Sequence, residues 1–221
     1  MGKLYNFLRP IFNTFLKVRH VDWAEPIPEE PVIFLANHLG AVGPMYMSVT
    51  FPMRENVAIW CNEGMMDEEM IVDYIRHDWW WKPESKLASF YSATIPYIAK
   101  AIVPKVLRSS PTIPVYRDAR IMSTMRASLK ALRAGKHLVI FPELPNGHAT
   151  HAEHLQMGWL NLTTMYKRAT GKDLKMIPIY IDEDARLFRV KKGIIAAPDI
   201  PLSEQEAQIE HYIAAGIRNQ L

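Results

Sequence analysis

Short unbroken apolar runs recur along the chain, separated by polar stretches with a helical period. "PVIFLA" (31–36), "NVAIW" (56–60), "HLVIF" (137–141) and "KMIPIYI" (175–181) each read as a strand buried on both faces. "TIPVY" (112–116) adds another, in which Pro114 marks an edge or a bulge, and "FRVKKGIIAA" (188–197) a further one. Between them, Ile121, Met122, Met125, Leu129 and Leu132 predict one face of a helix over 118–133, with Asp118 as its cap and Gly135 as its stop. A second helix is predicted over 152–169, ending at Gly171, and an acidic one over 65–77. Ser203 and Glu206 stand in capping-box spacing ahead of Ile209, Tyr212, Ile213 and Ile217, which predicts a closing helix. The stretch that follows the acidic helix and Trp79–Trp81, up to Pro111, reads as a mobile, Pro-rich connection. Strands alternating with helices imply an α/β fold, a layered sheet flanked by helices.

The first segment has a different pattern. Leu4, Phe7, Leu8, Ile11, Phe12, Phe15 and Leu16 repeat at the spacing of one helical face, with Pro10 predicting a kink. Residues 1–21 carry Lys3, Arg9, Lys17 and Arg19 and no acid. The other 22 basic residues face 23 acids, so the rest of the chain has a net charge of −1 and the excess of +3 belongs to this segment. A basic amphipathic helix of this kind suits a membrane interface, although docking on the protein's own core would give the same pattern. The chain therefore divides into an amphipathic membrane-docking segment, 1–25, and an α/β domain, 26–221, which opens after Pro26, Pro28 and Pro31. A near-neutral body argues against nucleic acid as a partner.

At 221 residues the chain can bury a full core, and its single cysteine, Cys61, rules out an internal disulfide and reads as a small buried hydrophobe. No apolar run is long enough to cross a bilayer, and no secretory signal is legible.

Three of the strands end in a polar residue that a core strand does not need: His38 after "VIFLAN", Arg117 after "IPVY" and Glu143 after "VIFP". Ligands of open α/β sheets bind outside the carboxyl ends of the strands. If the three strands are parallel, a base, a cation and a carboxylate share one rim, enough for anion recognition and group transfer.

Asn37-His38 after a strand, "IPVYR", "FPE" after a strand and the later "IP" of a strand resemble the four ordered blocks of the glycerolipid acyltransferases, the lysophosphatidate and glycerol-3-phosphate acyltransferases among them. The resemblance spans 31–221 and includes Gly158 and "VKKGIIAAPDI". It implies an acyltransferase-like fold and an O-acyltransferase moving a fatty acyl group to a hydroxyl of a lysophospholipid or glycerol-phosphate acceptor. The acyl-CoA or acyl carrier protein is the co-substrate, and no metal or other cofactor is needed. It also implies work at the cytoplasmic side of a membrane, with surface lipids and acyl carrier protein as partners and roles in phospholipid biosynthesis. By the same resemblance His38 is the general base, assisted by Glu143 in organising the pocket. Arg117 holds the acceptor phosphate, with Asn37, Pro142, Asn146, Gly147 and Pro178 shaping the substrate site. Backbone N–H groups of the turn after His38 would stabilise the oxyanion.

The chain departs from that pattern in two places. The family's aspartate five positions after the histidine is Gly43 here, and "FPELPNG" stands where Phe-Pro-Glu-Gly-Thr-Arg is usual. In a serine hydrolase, neutralising the aspartate that orients the histidine lowers turnover on the order of 10⁴-fold. A backbone carbonyl, Glu143 or Glu63 could take its place. Otherwise the chain is a silenced relative that binds lipid or acyl carrier, or a thioesterase that uses His38 on water. His148, His151 and His154 are spaced by three, but no cysteine or HExxH pattern completes a metal site, so a polar lip to the pocket is the preferred reading. Trp79, Trp80 and Trp81 read as interface aromatics, since three neighbours cannot all face a core.

Overall fold

The computed structural model describes residues 2–40, 42–77, 85–143 and 155–221. Its helices are α1 (Lys3–Phe15), α2 (Val42–Val49), α3 (Ile71–His77), α4 (Ala88–Ser109), α5 (Ile121–Arg133), α6 (Asn161–Thr170) and α7 (Leu202–Ile217). Its strands are β1 (His20–Trp23), β2 (Val32–Ala36), β3 (Val57–Asn62), β4 (Thr112–Val115), β5 (His137–Ile140), β6 (Lys175–Asp182) and β7 (Leu187–Val190). They form one seven-stranded sheet in the order β1-β7-β6-β2-β5-β3-β4. Every pairing is parallel except β6 with β7, which are joined by a tight turn and run antiparallel.

The continuous apolar runs are explained by the layers. Ile33 and Leu35 of β2 point to the side packed by α5, α6 and α7, whereas Val32, Phe34 and Ala36 point to the side of α2 and Phe51. Each central strand is wetted on neither face, so period-two alternation is absent. β4, with Pro114, is the edge strand its proline predicts.

Several predicted elements shift. The helix of 118–133 begins at Ile121, because Asp118 turns its carboxylate onto the Arg120 N–H instead of capping the first turn. Its buried face is Thr124, Met125, Ser128 and Leu132, and Ile121 and Met122 are exposed. The acidic helix shortens to α3, and the helix of 152–169 is described only as α6, preceded by a 3₁₀ turn over Gly158–Leu160. Trp79, Trp80 and Trp81 lie outside the described residues.

The stretch predicted as a loose connection is instead α4, the longest helix described, with Pro96 and Pro104 inside it. Each proline removes a helix hydrogen bond, but both are buried, and the helix is held by packing against α3 through Ile71, Ile75 and Ala99. Tertiary burial has overridden a local breaker.

The N-terminal segment also resolves differently from a single stripe. α1 is continuous through Pro10, and its apolar positions divide between two adjacent faces. Tyr5 and Leu16 are buried and Leu8 and Phe12 look into a cavity, while Leu4, Phe7, Ile11 and Phe15 face outward, Phe7 and Phe15 at 71% and 76% exposure. The inward face is tied down by Gly2 N–H to Ser109 O (2.6 Å), by the Tyr5 hydroxyl donating to Ser48 O, and by Arg9 with Glu55 (2.7 Å). Immediately after it, β1 joins the sheet beside β7, although its residues were expected to belong to the amphipathic segment of 1–25.

α7 seals the other layer at a close approach. A Cβ on Gly216 would lie 2.4 Å from Pro178 Cβ and 2.7 Å from its Cγ. Gly216→Ala is expected to destabilise the protein by about 1–3 kcal/mol through overpacking, read as a lower urea midpoint at unchanged slope.

Candidate active site

The strands β2, β5, β3 and β4 are mutually parallel neighbours, so His38, Glu143 and Arg117 do leave the sheet on the same rim. The order of the strands sets their separations. β2 and β5 are adjacent, so His38 and Glu143 meet, whereas β4 lies three strand spacings from β2, about 14 Å away. A cavity of about 650 Å³ opens across this rim, lined by His38, Pro142 and Glu143 at one side and Tyr116 and Arg117 at the other. It runs on between helices as an apolar chamber walled by Leu8 and Phe12 of α1, Met45 and Val49 of α2, and Val103 and Val106 of α4.

Glu143 is 4% exposed, and its Oε2 accepts the backbone N–H of His38 at 3.0 Å. The carboxylate thus carries on, beyond the last rung, the hydrogen bonding between the separating ends of β2 and β5. Its bridge to Leu155 and the Gln156 N–H bond to Pro142 O (2.8 Å) hold the returning chain against the same rim.

The imidazole of His38 lies edge-on to Phe141, with ring centroids 5.3 Å apart. Burial pushes its pKa down to about 4, outweighing the nearby Gly40 backbone, which favours the charged form. The ring is therefore neutral and able to accept a proton across the physiological range. Of the two carboxylates considered as orienting groups, Glu143 serves the His38 backbone and Glu63 is paired with Arg120 at 2.9 Å. Gly43, at the position of the missing aspartate, has Asn37 O and Phe141 Cε1 within 3.3 and 3.5 Å of where a Cβ would stand. Phe141 thus packs against both Gly43 and the imidazole.

Arg117 is exposed at the end of β4, whose last residues are fixed to α5 by the Thr124 hydroxyl, which donates to Pro114 O (2.7 Å) and accepts from Tyr116 N–H (3.2 Å). Its neighbour Arg120 is fully engaged, stacked 4.4 Å above the Tyr116 ring and paired with Asp118 and Glu63. Among the described residues no carboxylate pairs with Arg117, so its guanidinium is the cation available to a ligand at the rim.

Two predicted residues have other work. The Asn37 amide bridges to β6, donating to Ile181 O (3.4 Å) and accepting Ile181 N–H (2.7 Å), and is buried away from the cavity. Pro178 is not part of the cavity floor: it faces α7 and packs on Gly216, because it lies on the opposite side of β6 from Ile177 and Ile179. Asn146, Gly147, His148, His151 and His154 lie outside the described residues. Among the described residues no cluster of metal-ligating side chains occurs. The lining contributed by α1 and α4 was invisible in the sequence, since nothing local says which apolar helix face roofs a cavity. Cys61 lines the wall, and burial raises its thiol pKa to about 12, which leaves it inert.

No family model matches the chain, and no curated protein matches its sequence. A solved structure does: the 1-acyl-sn-glycerophosphate (LPA) acyltransferase, PlsC, from Thermotoga maritima superposes over 98% of this chain and 78% of its own, with a TM-score of 0.50 at 11% identity. Likeness at that identity establishes the fold.

A histidine held neutral in the native state makes stability depend on pH. Between pH 6.5 and about 4 the unfolded chain binds the proton that His38 in the fold refuses, so stability falls as pH falls through that window. His137, also buried and shifted down, acts in the same direction. His38→Gln is expected to reduce the loss between pH 7 and pH 4.5 by about 2 kcal/mol, measured by urea unfolding at both pH values. An unchanged loss would contradict the shift. The fold of this chain is that of the acylglycerophosphate acyltransferase PlsC.

Proposed function

We propose that this protein is an O-acyltransferase that moves a fatty acyl group from a thioester, acyl-CoA or acyl carrier protein, to a hydroxyl of a lysophospholipid or glycerol-phosphate acceptor. The observation that carries the reading is one continuous cavity lined by a guanidinium with no carboxylate partner among the described residues, a neutral imidazole and an apolar chamber. A phosphate suits Arg117, the reacting hydroxyl and carbonyl suit His38, and a hydrocarbon chain suits the space under α1 and α4.

In the proposed reaction the acceptor oxygen attacks the thioester carbonyl carbon as its proton passes to His38. Collapse of the tetrahedral intermediate breaks the C–S bond, and the imidazolium returns the proton to the departing thiolate. An ester and a free thiol result. The acceptor phosphate, an anion close to the rim, favours the protonated ring and so raises the basicity of His38 in the complex. The acid limb of kcat is accordingly expected at higher pH than that of kcat/KM, which lies near the free-enzyme value of about 4.

Membrane docking belongs to the same proposal. Among the described residues no helix is long and apolar enough to cross a membrane. The outward face of α1, with Phe7, Ile11 and Phe15 in line with Lys3, has the composition of a helix that lies in an anionic interface, and Phe90, Ile98 and Ile102 of α4 are exposed as well. Such a surface, the cytoplasmic face of a membrane by the sequence resemblance, would supply the lysolipid next to the chamber.

The test is thiol release from long-chain acyl-CoA and acyl carrier protein, with and without lysophosphatidate, lysophosphatidylcholine and glycerol 3-phosphate. Acceptor-dependent release is expected, reduced about 10²–10⁴-fold in His38→Ala. Arg117→Ala should raise KM for phosphate-bearing acceptors with the donor KM unchanged. Release indifferent to acceptor would make the protein a thioesterase, and none with any pair would make it a binding protein. Phe7→Asp with Phe15→Asp should abolish flotation with anionic liposomes while leaving the unfolding midpoint within about 0.5 kcal/mol.

A further inference from the structure

The three helices packed on one face of the sheet, α5, α6 and α7, divide their charge unevenly. α5 carries Arg126, Lys130 and Arg133, α6 carries Lys167 and Arg168, and neither contains an acid. α7 carries Glu204, Glu206 and Glu210 and no lysine or arginine. Arg126, Lys130 and Arg133 stand at i, i+4 and i+7, on the side of α5 opposite its buried Thr124, Met125, Ser128 and Leu132, and all three are exposed. Among the described residues no carboxylate pairs with them, whereas Lys167 of α6 is engaged by Asp173 at 2.6 Å. Like charges at that spacing repel, so the stripe adds nothing to the stability of its own helix.

The stripe begins at the mouth of the cavity. Ile121 and Met125, in the first turns of α5, line the cavity beside Arg117, and Met122 is exposed in line with Arg126. From Arg126 to Arg133 is about 10 Å along the helix axis, too long for a single phosphate and suited to the acidic side of a protein. The stripe also faces away from the proposed membrane surface. α5 packs on the sheet face of Ile33 and Leu35, whereas α1 joins the opposite face through Phe12 and Leu16. A bilayer lying against Phe7 and Phe15 would leave α5 in water.

We propose that the outer face of α5 docks an acidic acyl carrier protein, whose acyl thioester enters past Ile121 towards the rim at His38. Arg126, Lys130 and Arg133 match carboxylates on the carrier, and Met122 supplies an apolar contact beside the entrance. The acids of α7, in the same layer, repel the carrier and so hold it to the α5 side. Transfer is otherwise unchanged: the C–S bond breaks, the ester forms, and the carrier leaves as its free thiol. The inference deepens the acyltransferase reading by choosing the carrier-bound donor, and rests on that reading for the transfer step alone.

The experiment uses long-chain acyl carrier protein as the probe against the full chain. Wild type is compared with a charge reversal (Arg126→Glu, Lys130→Glu, Arg133→Glu) and with a neutral variant (Arg126→Gln, Lys130→Gln, Arg133→Gln), which carries the same comparison if the reversal does not fold. Carrier affinity is read by fluorescence anisotropy at low and high salt, alongside thiol release from carrier-bound and CoA-bound acyl groups, and unfolding midpoints. Binding is expected to weaken about tenfold or more in the reversal, by less in the neutral variant, and with added salt in wild type. KM for the carrier-bound donor should rise by a similar factor while the kinetics with acyl-CoA stay unchanged. Equal carrier affinity in wild type and the folded variants would overturn the inference. So would a wild type that transfers from acyl-CoA without binding the carrier, and the acyltransferase reading would then stand. Flotation with anionic liposomes lost in the reversal, with carrier binding intact, would assign the stripe to the membrane and equally overturn it. Carrier binding lost in the reversal, in a protein that transfers no acyl group from either donor, would uphold the docking face and sink the acyltransferase reading instead.

Discussion

The architecture turns on how β2 ends. Its backbone is buried between β5 and β6, and beyond Ala36 those neighbours diverge, which would leave amide groups unpaired in the interior at a cost of about 1–3 kcal/mol each. Two side chains complete the ladder in their place. Asn37 exchanges two hydrogen bonds with Ile181 on the β6 side, and Glu143 accepts the His38 N–H on the β5 side. The crevice at the carboxyl end of the sheet can exist because those polar groups are satisfied at its root. The same bonds fix the height at which the imidazole emerges.

The cavity above that root is walled by α1, α2 and α4. α1 and α4 are each unpromising as isolated helices, one with a proline at its centre and one with two. They hold because each buries a face against the other or against the sheet. The outcome is a chamber whose roof also carries exposed apolar side chains, Phe7 and Phe15 of α1 and Phe90 and Ile98 of α4, so a lipid on that surface and a chain in the chamber would be separated by the width of one helix.

In the proposed reading, Gly43 leaves no opposite charge at its position to hold the His38 pKa up. With Gly43 and Phe141 beside it the ring is drier, and its titration moves down to about 4 instead of up. A neutral imidazole of this kind can accept a proton at every physiological pH, and in the proposed reaction its strength would depend on the charge the substrate brings. The cation that would attract such a substrate stands across the cavity on β4, unpaired because Arg120 takes both Asp118 and Glu63.

The sequence by itself determined the strands from β2 onward, since runs such as Val32–Ala36 have no polar position to face water, and parallel packing between helices is the arrangement that suits them, but it gave no sign of β1. It also determined the three residues at the rim, because polar groups at the ends of buried strands stand out against the apolar run before them. It did not determine α4, where prolines weigh against helix locally and only contact with α3 and α1 decides. Nor did it separate the two faces of α1, as adjacent apolar stripes differ in sequence by one residue and in environment by everything that packs on them.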